Sequence, residues 1–303
     1  MDYSKEIIEK CGAKVHIKYQ DVVNKKLQQI IYDGFEKLQI ISDFDRTISC
    51  SEHNKIPTKS SFCVFESCKS LTKDYKEKAQ ALYHKYRPIE DDPNMTVEEK
   101  LPYIEDWWNQ SEALLKSIRF CYEDLDIATK EANVKLRDGC TKAFQNLFQH
   151  NVPVIVMSAG IGDVVELTLV HEKLFTKNVS VVSNFLNLAL DNDGNTIING
   201  FKDYPIIHVF NKNEHRYLEA HSNDTMLSGR LNVILLGDSL GDANMDGGIP
   251  YNNVLRIGFL NNDVKDENDP YLHQYEHAFD IVLIQDQTMN VLNYIINEIE
   301  NCK

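Results

Sequence analysis

The chain lacks a disulfide pattern. Its 303 residues include seven cysteines, an odd number: Cys11, Cys50, Cys63, Cys68, Cys121, Cys140 and Cys302. Cys63 and Cys68 are the nearest pair, and no second pair matches them. Free thiols in a reducing compartment are therefore expected. Long apolar runs are also missing, and the start MDYSKEIIEKCG is charged, with no leader pattern. These absences predict a soluble cytoplasmic protein with no membrane partner. Excess positive charge is missing too. Lys and Arg number 32 against 46 Asp and Glu, a formal net charge of -14. Proteins that bind a nucleic-acid polymer usually show a basic face, so the composition speaks against that class. It leaves room for a local positive pocket that takes a small anion. No internal repeat or low-complexity tract is visible, and nothing specifies an oligomer, so a monomer is the default.

What is present is an ordinary globular composition, 43% apolar and 26% charged, in a chain long enough for one large core and a smaller subdomain. Residues 18–37 show the apolar spacing of a helix, and LQII (38–41) reads as a short buried strand ending at Ser42 or Asp43. Residues 68–87 and 123–149 read as helices, and PIEDDP (88–93) as a loop or a tight entry to a helix. Thr96 with Glu99 three residues on is a helix-capping signal, and Pro102 is placed to bend or divide the helix that follows. Then the pattern changes. Buried strands are predicted at 152–160, 179–188, 232–239, 253–260 and 279–286, with a helix at 161–174 and another from Thr288. The segment DNDGN (191–195) reads as a hairpin turn. Continuous apolar strands alternating with helices predict a mostly parallel α/β sheet, Rossmann-like, with helices on both faces. Residues 1–52 and 138–303 would form this core, and 53–137 a mainly helical cap inserted after the first strand.

Four places could build a site at the carboxyl ends of such strands. In DFDRT, Asp43 and Asp45 lie two apart, so in an extended segment both side chains face one way. Two such carboxylates repel unless a proton or a hard cation such as Mg2+ relieves them. Taken alone, an acidic cap after a strand is an equal reading. In SAGIGD, Ser158, Ala159 and Gly160 would let a backbone approach a phosphate at a helix N-terminus. Lys212 could neutralise a transferring phosphoryl group, although a lone loop lysine is ordinarily solvated. In GDSLGD, Asp238 directly follows a strand and could join Asp43 and an Asp45 or Phe44 carbonyl around a metal. Asp242, four residues on, could bind the metal, or orient Lys212 or a metal-bound water. Each signal is modest, but their order along the chain makes Asp238 a metal ligand in this reading.

DFDRT, SAG, the lysine and GDSLGD resemble the four motifs of the haloacid-dehalogenase-like phosphatases. The segments ISDFDRTIS, YRPIEDDPNMTVEEKLPYIEDWW, MSAGIGDVVE, VILLGDSLGDANMDGG and DIVLIQD further resemble the cytosolic 5'-nucleotidase III group, from about residue 20 onward. The resemblance implies a Mg2+-dependent 5'-nucleotidase. Asp43 would be the nucleophile that forms an aspartyl-phosphate, and Asp45 the general acid and base. Ser158 and Lys212 would bind phosphate, while Asp43, Asp45 and Asp238 would hold the metal with support from Asp242.

The same resemblance places base recognition on Glu90. A carboxylate only accepts hydrogen bonds, so it suits the N–H groups of a guanine or the amino group of cytosine. The adjacent tryptophans point about 100° apart on a helix. Ser111 shares the face of Trp107, which favours Trp107 as a stacking platform and Trp108 as packing. Phe62, Phe65 and Tyr103 are candidates for a second face. An indole attracts a cationic base, and the Trp-Trp pair resembles the branch specific for 7-methylguanosine phosphate. Hydrolysis of 7-methyl-GMP and CMP is expected, with CMP and UMP as the alternative substrates. Arg46 departs from the apolar residue usual in relatives; it could reach phosphate or an acid of the cap, and no catalytic role is assigned to it.

Overall fold

The computed structural model describes the whole chain except residues 13, 91, 93, 221–224 and 303. Its strands, in chain order, are β1 (Val15–His16), β2 (Leu38–Asp43), β3 (Glu52–His53), β4 (Ile56–Pro57), β5 (Val154–Ile161), β6 (Val179–Asn184), β7 (Leu186–Leu190), β8 (Thr196–Phe201), β9 (Asn232–Gly237), β10 (Asn253–Leu260) and β11 (Ile281–Ile284). The main sheet runs β1-β11-β10-β9-β2-β5-β6. The two-residue β1 is antiparallel to β11, and all the other pairings are parallel.

Helices cover both faces. In chain order they are α1 (Tyr3–Cys11), α2 (Gln20–Asp33), α3 (Ser61–Glu66), α4 (Lys73–Glu90), α5 (Val97–Leu115), α6 (Tyr122–Ala132), α7 (Cys140–Gln149), α8 (Gly162–His171), α9 (Glu214–Ala220), α10 (Pro270–Ala278) and α11 (Asn290–Asn301). Alternate strand residues divide between two cores, as the period of two requires. Ile40, Val154, Ile234 and Leu236 pack with Leu27 of α2, Leu147 of α7 and Ile295 of α11. Their neighbours Ile41, Ile155, Val233 and Leu235 pack with Tyr217 of α9 and Leu272 of α10. Burial on both sides explains why these strands are unbroken apolar runs.

The direction of strand addition reverses at β2, which lies between β5 and β9. A crevice opens at the carboxyl ends of strands at such a reversal. The register aligns those ends. Asp43 pairs with Met157, one residue before Ser158, and Ser42 pairs with Leu236, two residues before Asp238. Three of the sequence candidates therefore meet at one level.

Helices α3 to α6 form a third core, and it is shared. Val64, Phe65, Leu115 and Leu125 pack with Leu186, Ile198 and Phe201 of the β7–β8 hairpin. The hairpin is bonded to the same unit: Ser117 N donates to Ile198 O and Phe120 N to Thr196 O, each at 2.9 Å. The chain enters and leaves this unit side by side, with Cys50 N donating to Lys135 O and Arg137 N to Ile48 O.

Several element expectations are corrected. The segment 88–93 does not begin as a loop, because α4 runs through Pro88 to Glu90; residues 91 and 93 lie outside the described residues. Pro88 sits in the last turn, where its missing N–H forfeits one intrahelical bond and only two residues of the helix follow it. The buried Tyr86 and the Arg87–Glu90 pair carry the turn onward. Pro102 likewise lies within the single helix α5, in its early turns, and Thr96 and Glu99 form the expected capping box. The stretch 123–149 is two helices, separated by left-handed backbone at Asn133 and Gly139. The run 179–188 breaks at Phe185, where β6 gives way to the hairpin.

Candidate active site

Asp43 and Asp45 leave β2 in different directions. Asp43 points into the crevice, where Lys212 Nζ lies 2.6 Å from its Oδ1. The same nitrogen lies 2.7 Å from Asp242 Oδ1. Both partners and the lysine are almost fully buried, so this is an interior charge cluster. Lys212 is thus not a solvated loop lysine. Burial alone would push its pKa down, but the charges of Asp242 and Asp43 outweigh that and hold it above the ordinary lysine range.

The Asp45 side chain does not share the facing that its spacing from Asp43 predicted. Its carboxylate is not in the acidic cluster, but is held by α3: Ser61 N donates to Oδ1 at 2.7 Å and Ser61 Oγ to Oδ2 at 2.6 Å. Burial raises the Asp45 carboxyl, and the two Ser61 bonds oppose the rise. A metal contact by Asp45 would therefore come from its backbone carbonyl rather than its side chain. Gly160 makes the arrangement possible. A Cβ there would sit 1.9 Å from Ser61 Oγ and 3.3 Å from Asp45 Oδ2. The glycine thus clears space for a neighbouring side chain, beyond the approach of a ligand.

Oxygens of Asp43, Asp238 and Asp242 converge within 4.8 Å of one another. The oxygens of Asp242 are already engaged: Oδ2 accepts from Asp238 N and Ser239 N, and Oδ1 faces Lys212. Asp43 Oδ2 is buried, with no hydrogen-bond partner among the described residues. Asp238 meets Asn261 Nδ2 only at 3.5 Å. Burial, then the charge of Asp242, raises Asp238 to about 7, and burial raises Asp43 as well. Three carboxylates against one ammonium leave an uncompensated negative charge centred on Asp43 Oδ2 and Asp238. Oxygen donors around such a deficit fit a hard divalent cation.

Ser158 is buried within β5, one residue past the last pairing with β2, and its Oγ accepts from Gly160 N at 3.0 Å. Arg46 is exposed in left-handed backbone, and its charge acts on Asp238.

Beside this cluster lies a cavity of about 470 Å³, bounded by Ala159, Gly160 and Val209 from the sheet side and by α3, α4 and α5. Glu90, Trp107 and Ser111 all line it, as the sequence reading grouped them. The Trp107 ring lies nearly parallel to that of Tyr86, with centroids 6.0 Å apart. Trp108 packs edge-on against Phe62 and Phe201 and also lines the cavity, so it is more than packing. Of the second-face candidates, Phe62 lines the cavity, Phe65 is fully buried and Tyr103 stands outside it. Arg87 Nη1 lies 2.7 Å from Glu90 Oε2.

Three participants escaped the sequence reading. Ser61 lies inside an unremarkable KSSF run. Asn261 donates to Arg46 O at 3.1 Å and accepts from Arg137. Arg137 is fully buried, donates to the carbonyls of Thr47, Arg46 and Asp286, and stacks on Phe259 at 3.9 Å. Burial pulls its pKa down to about 10. It clamps the turn that follows Asp45, and no local spacing announces that.

An acidic cluster with a buried lysine, at the strand reversal of a Rossmann-like sheet and beneath a helical unit, defines a haloacid-dehalogenase-like phosphatase. A probable phosphoserine phosphatase from Vibrio cholerae has the same fold, with a TM-score of 0.51 at 11% identity over 93% of this chain and 73% of that one. Residues 46–300 match the pyrimidine 5'-nucleotidase (UMPH-1) family, and the chain belongs to it. It is 38% identical to the 7-methylguanosine phosphate-specific 5'-nucleotidase of Gallus gallus, over 95% of this chain and 96% of that one. The Homo sapiens protein of the same name is also 38% identical, over 88% of this chain and 86% of the relative. The crystal structure of cytosolic 5'-nucleotidase IIIB bound to cytidine superposes with a TM-score of 0.87, at 34% identity, covering 98% and 97% of the two chains. The protein is a 5'-nucleotidase, a phosphoric monoester hydrolase. Among the described residues no helix is long and apolar enough to cross a membrane.

Proposed function

We propose that the enzyme releases phosphate from 7-methyl-GMP, and from CMP, through an aspartyl-phosphate on Asp43. The observation that carries this reading is the adjacency of two unlike sites. A buried Asp43–Lys212–Asp242 cluster abuts an aromatic cavity that holds Glu90, Trp107 and Trp108. A 5'-phosphate at the first puts its base in the second. Residues 53–137 act as the cap that reads the base, and 1–52 with 138–303 as the catalytic core.

Asp43 attacks phosphorus in line with the departing ribose oxygen. Asp45, its carboxyl raised by burial, gives that oxygen a proton and then takes one from the water that hydrolyses the acyl phosphate. Lys212 and Ser158 hold the equatorial oxygens, where charge is greatest. Mg2+, held by Asp43, Asp238 and the Asp45 carbonyl with Asp242 in support, would screen the phosphate's charge from the nucleophile. Trp107 stacks on the base, which for 7-methylguanine is cationic and favours an indole face. Glu90 accepts from the base N–H groups, and Ser111 completes that wall.

The test is kcat/KM for 7-methyl-GMP, GMP, CMP and UMP with Mg2+. A preference for 7-methyl-GMP with CMP second supports the reading. The name of the matched family and the cytidine bound to the related crystal structure favour the alternative, and a dominance of CMP and UMP would establish it.

A further inference from the structure

The cavity wall holds a second carboxylate. Glu66, the last residue of α3, lines the same cavity as Glu90, Arg87 and Trp107. It is half-buried, and among the described residues no side chain or amide hydrogen-bonds to it. Burial raises its pKa, and the charge of Lys76 opposes that rise. Glu90 differs, because Arg87 answers its charge at 2.7 Å. The charged residues on the wall are therefore one neutralised pair and one carboxylate with no bonded counter-ion.

The two acids stand at different ends. Glu66 acts electrostatically on Tyr75, near the start of α4, whereas Glu90 ends that helix. Between them, Ala79, Gln80 and Tyr83 line the cavity along α4. Trp107 packs against Tyr83 and Tyr86, so it sits between the levels of the two acids. A ring lying on Trp107 thus has Glu90 towards one end and Glu66 towards the other.

A half-buried carboxylate without a hydrogen-bond partner is costly on an aromatic cavity wall and is relieved by a cation. Deepening the nucleotidase reading above and resting on it, we propose that Glu66 is a specificity-determining residue that selects a positively charged purine base over its neutral counterpart. Glu90 would read N–H donors, which GMP and 7-methyl-GMP share. Glu66 would read the charge, which distinguishes them.

The comparison of 7-methyl-GMP with GMP isolates that charge, since the two differ by one methyl group. In Glu66→Gln the ratio of kcat/KM for 7-methyl-GMP over GMP should fall about tenfold, and Glu66→Asp should keep most of the wild-type ratio. If Glu66→Gln does not fold, Glu66→Met, which suits a half-buried helix position, reads the same ratio. An unchanged ratio without the carboxylate overturns the proposal. So does an equal loss on 7-methyl-GMP, GMP and CMP in both Gln and Asp variants, which would mark a packing role. A wild-type enzyme that does not use 7-methyl-GMP, or on which CMP and UMP dominate, overturns the substrate reading itself. That result appears before any variant is made, so the two failures are distinct.

Discussion

Asp45 is held by Ser61, the first residue of α3. The Ser61 amide and hydroxyl bond to the two oxygens of Asp45 at 2.7 and 2.6 Å. The proposed acid and base thus takes its orientation from α3 rather than from its own strand. Removing the hydroxyl in Ser61→Ala leaves the amide bond, so kcat should fall about tenfold, less than the roughly 10²–10⁴-fold expected for Asp45→Asn. Steady-state kinetics on CMP would check this, with KM expected to change little. Gly160→Ala should be more damaging, because its Cβ would overlap Ser61 Oγ. Its effect should shrink in the Ser61→Ala background, the non-additivity that contact predicts.

Lys212 lies between two buried carboxylates, and its loss leaves both uncompensated. Lys212→Met should lower stability by about 3 kcal/mol in metal-free buffer and abolish measurable turnover. Urea melts would measure the first and phosphate release the second. Mg2+ should recover part of the lost stability, because it supplies positive charge to the same cluster.

For the wild-type protein, a chelator should stop hydrolysis, and added Mg2+ should restore it. Binding at about 100 times Kd would stabilise the fold by about 2.7 kcal/mol, visible as a rise in Tm. A Tm indifferent to Mg2+ would count against Asp43 and Asp238 as ligands.

His208 is buried, and its Nδ1 accepts from Phe210 N at 3.2 Å. Burial, with the charge of Arg216, pushes its pKa down from 6.5 to about 4. Between these values the unfolded chain binds a proton that the native protein does not. The stabilising contribution is therefore complete above about pH 6.5, falls as pH drops through the window and levels off below about 4, a loss of about 3 kcal/mol. His208→Asn keeps an acceptor without the titration. Urea melts at pH 7 and pH 5 should show a smaller difference for the variant than for the wild type.

The two tryptophans should separate kinetically. Trp107 lines the cavity with its ring nearly parallel to Tyr86, whereas Trp108 is also wedged against Phe62 and Phe201. Trp107→Ala should raise KM for 7-methyl-GMP at least tenfold with modest loss of stability, in line with a lost stacking and cation–π contact. Trp108→Ala should raise KM and also destabilise the fold by about 3 kcal/mol, since it opens a hole in the cap core.

The chain order of Asp43, Ser158, Lys212 and Asp238 and the apolar runs before three of them were enough to place those residues at one sheet edge. Buried parallel strands leave no alternative to continuous apolar residues, and their ends are where polar residues resume. The pair Thr96 and Glu99 likewise announced the start of α5, because capping is a local bond. What local spacing does not encode is which side chain reaches which across the fold. Asp43 and Asp45 share a strand face by period, yet one meets Lys212 and the other Ser61. Pro88 reads as a helix end in any local window, but packing of Tyr86 carries α4 past it. Arg137 and Glu66 look like surface charges in the sequence. One is buried against three backbone carbonyls, and the other lies on a cavity wall with no hydrogen-bond partner among the described residues. Short-range propensity and period decided the elements and the strand ends. Desolvation and long-range pairing, set only when the cap closes over the sheet, decided the roles of the charges.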